Sequence, residues 1–136
     1  IREGKGIVII GGKNDEDLTQ QLALQIKGPV INVSGQLSLT ESAAVIGVSE
    51  VLLSNDTGMM HMAAAVKTPV VALFGPTTRH FGFLPYQAKA KILERELACR
   101  PCSYHGTSSC PKKHFRCMLD IDPEEVIGAV QSFLNE

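Results

Sequence analysis

The stretch "EVLLSNDTGMMHMAAAVKTPVVALFG" (50–75) decides the fold. Two short apolar runs, "EVLLSN" (50–55) and "PVVALFG" (69–75), enclose a segment of small and apolar residues, "GMMHMAAAVK" (58–67). Continuous apolar runs without polar alternation predict strands buried on both faces, and a helix between two such strands predicts parallel pairing. Small residues at Ala63, Ala64 and Ala65 suit a helix lying close on a sheet.

Working outward, the alternation continues. "GIVIIGG" (6–12) reads as a buried strand ended by paired glycines. "NDEDLTQQLALQIKG" offers Asn14 or Asp15 as a helix cap, puts Leu18, Leu22 and Ile26 on one face, and stops at Gly28. "PVINVSG" (29–35) is a second strand. "SLTE" (38–41) fits a capping box, with Ser38 as N-cap and Glu41 reaching back, and opens a helix with Leu39, Ala43 and Ile46 that ends near Gly47. Beyond "PTTRHFGFLPYQ", a loop, "AKAKILERELA" reads as a weak strand or mixed segment. "DPEEVIGAVQSFLNE" (122–136) closes as a helix capped by Asp122, with Pro123 in its first turn and Val126, Val130 and Phe133 on its buried face. The expected fold class is α/β: a Rossmann-like parallel sheet with helices on both faces.

The chain has 136 residues, 44% hydrophobic and 20% charged, so one globular domain, 1–136, is expected. A net charge of −1 gives no reason to expect nucleic acid as a partner. No apolar run approaches the roughly 18 residues that span a bilayer. The chain opens on Ile1, with neither an initiator methionine nor a signal peptide, which is expected of a piece of something longer.

The turn "SNDTG" lies where open parallel sheets bind ligands, outside the carboxyl ends of the strands. A helix starting at Gly58 would aim unpaired amides and a partial positive charge at the turn, which suits phosphate or pyrophosphate. Gly58 permits close approach and Thr57 adds a hydroxyl. Asp56 reads equally as a helix cap, and His61 as a packed or hydrogen-bonded histidine.

At this point "SNDTGMMHMAAAVKTPVVALFGPT" (54–77) resembles the signature of the ADP-heptose:lipopolysaccharide heptosyltransferases, glycosyltransferase family nine. That pattern runs Asp-Ser/Thr-Gly, a variable residue, an apolar residue, His, an apolar residue and alanines, then Thr-Pro, an apolar strand and Gly-Pro-Thr. The tail "CRPCSYHGTSSCPKKHFRCMLDIDPEEV" is similar to the family's cysteine-bearing C-terminal stretch.

The resemblance implies the C-terminal, donor-binding half of a two-domain GT-B enzyme, the N-terminal half holding the acceptor and catalytic carboxylate. Carried over, Asp56, Thr57, Gly58 and Met59 line the diphosphate of an ADP-sugar, with His61 beside them. Leu37 matches the position that packs on adenine, Gly75, Pro76 and Thr77 close the phosphate end, and Asp15 or Glu16 bonds the ribose. The reaction implied is an inverting transfer of a heptose or similar sugar to a lipopolysaccharide core acceptor, with no required cofactor and no catalytic residue in this chain. The chain alone is expected to be inactive and cytoplasmic, with the enzyme peripheral at the inner membrane face. One departure is Thr78-Arg79, where the family usually continues Asp-Pro. A carboxylate beside a diphosphate is repulsive, so Asp56 is expected to bond turn amides or sugar hydroxyls.

Within the cysteine-bearing loop segment (97–119), Cys99, Cys102, Cys110 and Cys117 are spaced C-x2-C-x7-C-x6-C, near His105 and His114. Structural zinc, a disulfide and free packed thiols all fit that spacing. Arg100, Lys112, Lys113 and Arg116, with no acid between Glu96 and Asp120, make either a solvated basic loop or a surface for an anionic lipid-linked saccharide acceptor. A nucleotide-sugar epimerase on the same architecture would lack the cysteine tail; a non-enzymatic metal-stabilised interaction module is the reading furthest from an enzyme.

Overall fold

The strand Val70–Phe74 (β4 in chain order) is the centre of the core: Val70, Val71, Ala72 and Phe74 have no exposed surface. Successive strand residues point to opposite faces, so consecutive burial means that both faces are covered. The fold is known from a computed structural model that describes residues 5–107 and 109–135. Ile1, at which the chain opens, lies outside the described residues.

The described residues form five strands and five α-helices, which alternate as far as β4: β1 (Ile7–Ile9), α1 (Glu16–Gln25), β2 (Val30–Asn32), α2 (Leu39–Gly47), β3 (Leu52–Asn55), α3 (Gly58–Ala65), β4, β5 (Ala90–Glu94), α4 (Arg116–Leu119) and α5 (Pro123–Leu134). All pairing is parallel, β1 with β2 in one ladder and β3–β4–β5 in another. The chain forms two compact units that divide at Ala44/Val45, inside α2.

In the first unit, α1 packs on β2. A 3-10 turn, Lys13–Asp15, precedes α1, and Asp15 stands at the cap position but its carboxylate accepts the Gly12 amide at 2.9 Å. The face expected to be apolar is not buried: Leu18 and Leu22 are 69% and 49% exposed, and the buried residue of α1 is Thr19. Thr19 sits there because its hydroxyl donates back to the Asp15 carbonyl at 2.9 Å and accepts from Asn32 of β2 at 3.3 Å. The capping box forms as expected, Ser38 N–H to Glu41 at 2.8 Å and Glu41 N–H to Ser38 Oγ at 3.3 Å. Those bonds from Ser38 hold the Glu41 carboxyl below the usual range.

In the second unit, α3 packs on β3 and β4, and α4 and α5 lie against β4. Thr68 turns the chain from α3 into β4, its buried hydroxyl donating to the Ile46 carbonyl at 2.8 Å. The segment expected to be weak or mixed is a true strand, β5, in register with β4 from Val70↔Ala90 to Phe74↔Glu94. Asp122 caps α5 through the Glu124 amide at 3.0 Å. Ala129 is the buried residue of α5, while Val126, Val130 and Phe133 are half-buried. The short helix α4 falls where only an irregular segment was expected.

Candidate functional site

β3 and β4 end level with one another, Asn55 opposite Leu73. Two turns therefore leave the carboxyl edge of this ladder side by side: Asp56-Thr57, leading into α3, and Gly75-Pro76-Thr77. The Asp56 amide still bonds the Leu73 carbonyl at 3.2 Å, which holds the first turn to the sheet edge.

α3 starts at Gly58 with Thr57 extended (φ −143°, ψ 172°) at the cap position, and no side chain caps it. The Thr57 hydroxyl lies 3.2 Å from that of Ser54 instead. Thr57 and Gly58 are exposed, and a Cβ on Gly58 would meet nothing within 4 Å. The start of α3, at the positive end of its dipole, is thus exposed and has no side-chain cap, a feature that suits an anion. Met59 is half-buried and His61 exposed on the same helix.

Asp56 is not the cap. Helix geometry begins one residue too late for it, and its Oδ2 accepts the Thr77 hydroxyl at 2.6 Å instead. That length is typical of a hydroxyl bonded to a carboxylate. Through Oδ2, Asp56 thus ties the Asp-Thr-Gly turn to the Gly-Pro-Thr loop, where Thr77 is buried.

The loop is held just as firmly from its other side. The guanidinium of Arg100, only 4% exposed, donates to the carbonyls of Phe74, Gly75 and Thr77, to that of Arg95, and to Glu94 at 2.9 Å. The Cys102 amide takes the remaining loop carbonyl, Pro76, at 2.9 Å. Gly106, in the left-handed region at φ 78°, lies against the Pro76 ring, where a Cβ would come within 3.3 Å. Phe81 stacks on Tyr104 with centroids 4.4 Å apart. Gly75 lies close against Met118: a Cβ there would meet Sδ at 2.8 Å, so the methionine would have to shift.

Arg100 therefore does not belong to a basic surface. Arg116 pairs with Asp120 at 2.9 Å across one helical turn, which leaves Lys112 and Lys113 exposed on that segment. Glu94 carries two ion pairs, with Arg100 and with the more exposed Arg79. Burial works against its charge, but the hydrogen bonds and charges of Arg79 and Arg100 outweigh it and hold the Glu94 carboxyl below the usual range. Thr78-Arg79 thus leads into an ion pair, and the Thr78 hydroxyl accepts the His80 amide at 3.3 Å.

All four cysteines are free thiols. Cys99 Sγ lies 3.7 Å from His114 Nε2. Cys110 accepts the Phe115 amide at 3.4 Å, in a turn whose Lys113 and Phe115 adopt positive φ of 58° and 49°. That bond, with amides of His114, Lys112 and Lys113, holds the Cys110 thiol below the usual range against the effect of burial. Burial pushes the Cys117 thiol up, with Cys102 and Cys110 adding and Arg100 opposing. Among the described residues, no group of three or more His, Cys, Asp or Glu side chains is arranged to hold a metal ion. Nor is any helix among them long and apolar enough to cross a membrane.

The remaining expected residues belong to the first unit. Glu16 is exposed at the head of α1, and its side chain lies over Gly35, where a Cβ would overlap Oε1 at 2.0 Å. Gly35 has φ 72°, a backbone conformation that favours glycine. Asp15 is engaged with Gly12, whereas no hydrogen bond to the Glu16 carboxylate is seen among the described residues. The Ser34 hydroxyl is buried with no partner among the described residues, and a Cβ on Gly11 would come 3.1 Å from it. Leu37 is half-buried in the turn ahead of α2.

Glycosyltransferase family 9 (heptosyltransferase) matches residues 1–113 as a sequence family. The chain is 34% identical over 134 residues to lipooligosaccharide heptosyltransferase 2 of Campylobacter jejuni, covering 95% of this chain and 41% of that protein. It is 26% identical to lipopolysaccharide heptosyltransferase 2 of Salmonella typhimurium, covering 100% of this chain and 39% of that one. Among solved structures, a family 9 glycosyl transferase from Veillonella parvula superposes with a TM-score of 0.81 at 29% identity over 98% of this chain and 38% of its own. The ADP-heptose lps heptosyltransferase II of E. coli gives 0.77 at 25% identity, with 98% and 37% covered. The chain thus spans about two fifths of the length of the relatives it matches.

Proposed function

The chain belongs to glycosyltransferase family 9, and from that premise we propose that it binds the nucleotide-sugar donor of a bacterial enzyme that transfers a heptose or similar sugar to a lipopolysaccharide core. One observation carries the reading: the start of α3 is uncapped and exposed while Asp56 bonds Thr77. The negative charge nearest the anion position is thereby engaged, and the amides of Thr57, Gly58 and Met59 are left for the diphosphate. His61 flanks them on α3, and Gly75, Pro76 and Thr77 border the phosphate end.

The chemistry is an inverting displacement. An acceptor hydroxyl attacks the anomeric carbon; its proton passes to a carboxylate outside this chain. The bond from that carbon to the diphosphate breaks, and its electron pair stays on the departing oxygen of ADP. Negative charge grows there, and preorganised helix amides stabilise it as oxyanion donors do, each worth on the order of 3 kcal/mol of barrier. With charge met this way, transfer needs no metal cofactor. The acceptor is an anionic lipid-linked saccharide, met on the cytoplasmic face of the inner membrane with Lys112 and Lys113 available to it.

The test is calorimetric titration of ADP against the other nucleoside diphosphates, with Gly58→Asp beside the wild type. The introduced carboxylate has room at Gly58 and stands at the phosphate position, so ADP affinity is expected to drop about a hundredfold, as for close like charges. The 136-residue chain alone is expected to bind ADP weakly and to transfer nothing. ADP binding indifferent to Gly58→Asp, or sugar transfer by this chain alone, overturns the reading.

A further inference from the structure

The geometry points to Arg100 as the positioning residue of the donor site: its buried guanidinium turns the carbonyls of the Gly-Pro-Thr loop inward, away from the diphosphate. This rests on the donor reading above.

A carbonyl oxygen carries partial negative charge and repels a phosphate. Four consecutive carbonyls, Phe74 to Thr77, run from the end of β4 through the Gly-Pro-Thr loop, and every one is engaged by the cysteine segment, three by Arg100 and one by the Cys102 amide. Each of these carbonyls is thus drawn toward a donor of the cysteine segment rather than left to meet an incoming anion. The loop's other anchor, Thr77 to Asp56, then fixes the distance between the loop and the start of α3.

Only arginine suits this post. Its planar fork presents five donors in different directions, and here they reach carbonyls on two chain segments and one carboxylate at once. Lysine offers three donors at a single point. The buried charge is tolerable because Glu94 neutralises it and the carbonyls satisfy its protons. Glu94 in turn reaches the exposed Arg79, so the anchor extends from the core to the residue that departs from the family pattern.

The experiment uses the complete enzyme that carries this chain, with Arg100→Lys, Glu94→Gln and, as the reference for the donor reading, Gly58→Asp. Folding is checked by circular dichroism; ADP Kd, kcat, and KM for donor and acceptor are measured separately. Displaced loop carbonyls are expected to lower kcat/KM for the donor about tenfold or more in folded Arg100→Lys and to raise ADP Kd in step, with acceptor KM within about twofold. A merely structural role would reduce the amount of folded enzyme and leave both KM values alone.

Donor kcat/KM within about twofold of wild type in folded Arg100→Lys overturns the inference, as does an equal rise in donor and acceptor KM. If Arg100→Lys does not fold, Glu94→Gln decides. It keeps the guanidinium and removes its counter-charge, and a selective rise in donor KM of about threefold supports the inference, while no change overturns it. Should Gly58→Asp leave ADP Kd untouched, the donor reading itself fails. If Gly58→Asp weakens ADP and the Arg100 and Glu94 variants are silent, only the role of Arg100 falls.

Discussion

Removing the hydroxyl of Thr77 is the sharpest perturbation available to the link between the two turns. Thr77→Val keeps the shape of the side chain and replaces the donor with a methyl group. The bond lost is 2.6 Å long and made to a carboxylate, and hydrogen bonds to charged groups contribute about 1.5–3 kcal/mol. Thr77 is buried but Asp56 is half-buried. Water can therefore reach part of the freed carboxylate, which places the loss near the lower end, about 2 kcal/mol. Asp56→Asn keeps an acceptor and loses only the charge assistance, for about 1 kcal/mol. The decisive quantity is the coupling energy from the cycle Asp56→Ala, Thr77→Val and the double variant, expected at about 1.5–2 kcal/mol. The protein has no tryptophan, so urea unfolding is followed by far-UV circular dichroism, with an unchanged m-value as the check that unfolding itself is the same. A coupling below about 0.5 kcal/mol, the scatter of independent sites, would refute the claim that this bond joins the two turns.

Two further outcomes follow from charges in the second unit. The depressed Glu94 carboxyl contributes stability that is present above the ordinary carboxylate pKa, about 4.3, and is lost as pH falls through its lower folded value. The urea midpoint of the wild type should thus fall more steeply below about pH 4 than that of Glu94→Gln, and parallel curves would contradict the ion-pair account. Among the thiols, Cys110 should react first with a disulfide reagent near neutral pH, because backbone amides favour its thiolate, while Cys117 is buried and its thiol pushed up. Loss of the fast phase in Cys110→Ser checks this; a fast phase that survives the substitution disproves it.

Local chemistry was legible in the chain itself. Apolar runs at 6–12, 50–55 and 69–75 mark strands, and β1, β3 and β4 lie within them; of these three, β4 is covered on both faces, whereas β1, expected to be buried, exposes Ile7 and Val8, and β3 exposes Leu53. Ser38 with Glu41, and Asp122 with Pro123, announce helix starts because capping depends on residues three or fewer positions apart. The Asp-Thr-Gly turn at the head of a helix was readable for the same reason.

Bonds between distant residues were not. Asp56 looks like a cap until the level ends of β3 and β4 bring Thr77, 21 positions away, into reach of its carboxylate. Arg100 reads as one more cation in a basic segment, and no pattern in its neighbours shows that it is buried beneath carbonyls 23 to 26 residues upstream. β5 was blurred by Lys91 and Glu94, whose charges are accommodated by Ser132, Phe133, Arg79 and Arg100 from elsewhere in the chain. The amphipathic look of α1 misled, because a hydroxyl that bonds its own helix and Asn32 of β2 placed Thr19 inward. By itself the sequence determined where backbone conformation changes, since capping and periodicity act over a few residues; which side chains meet was decided only by tertiary structure, because parallel pairing joins turns that lie tens of residues apart.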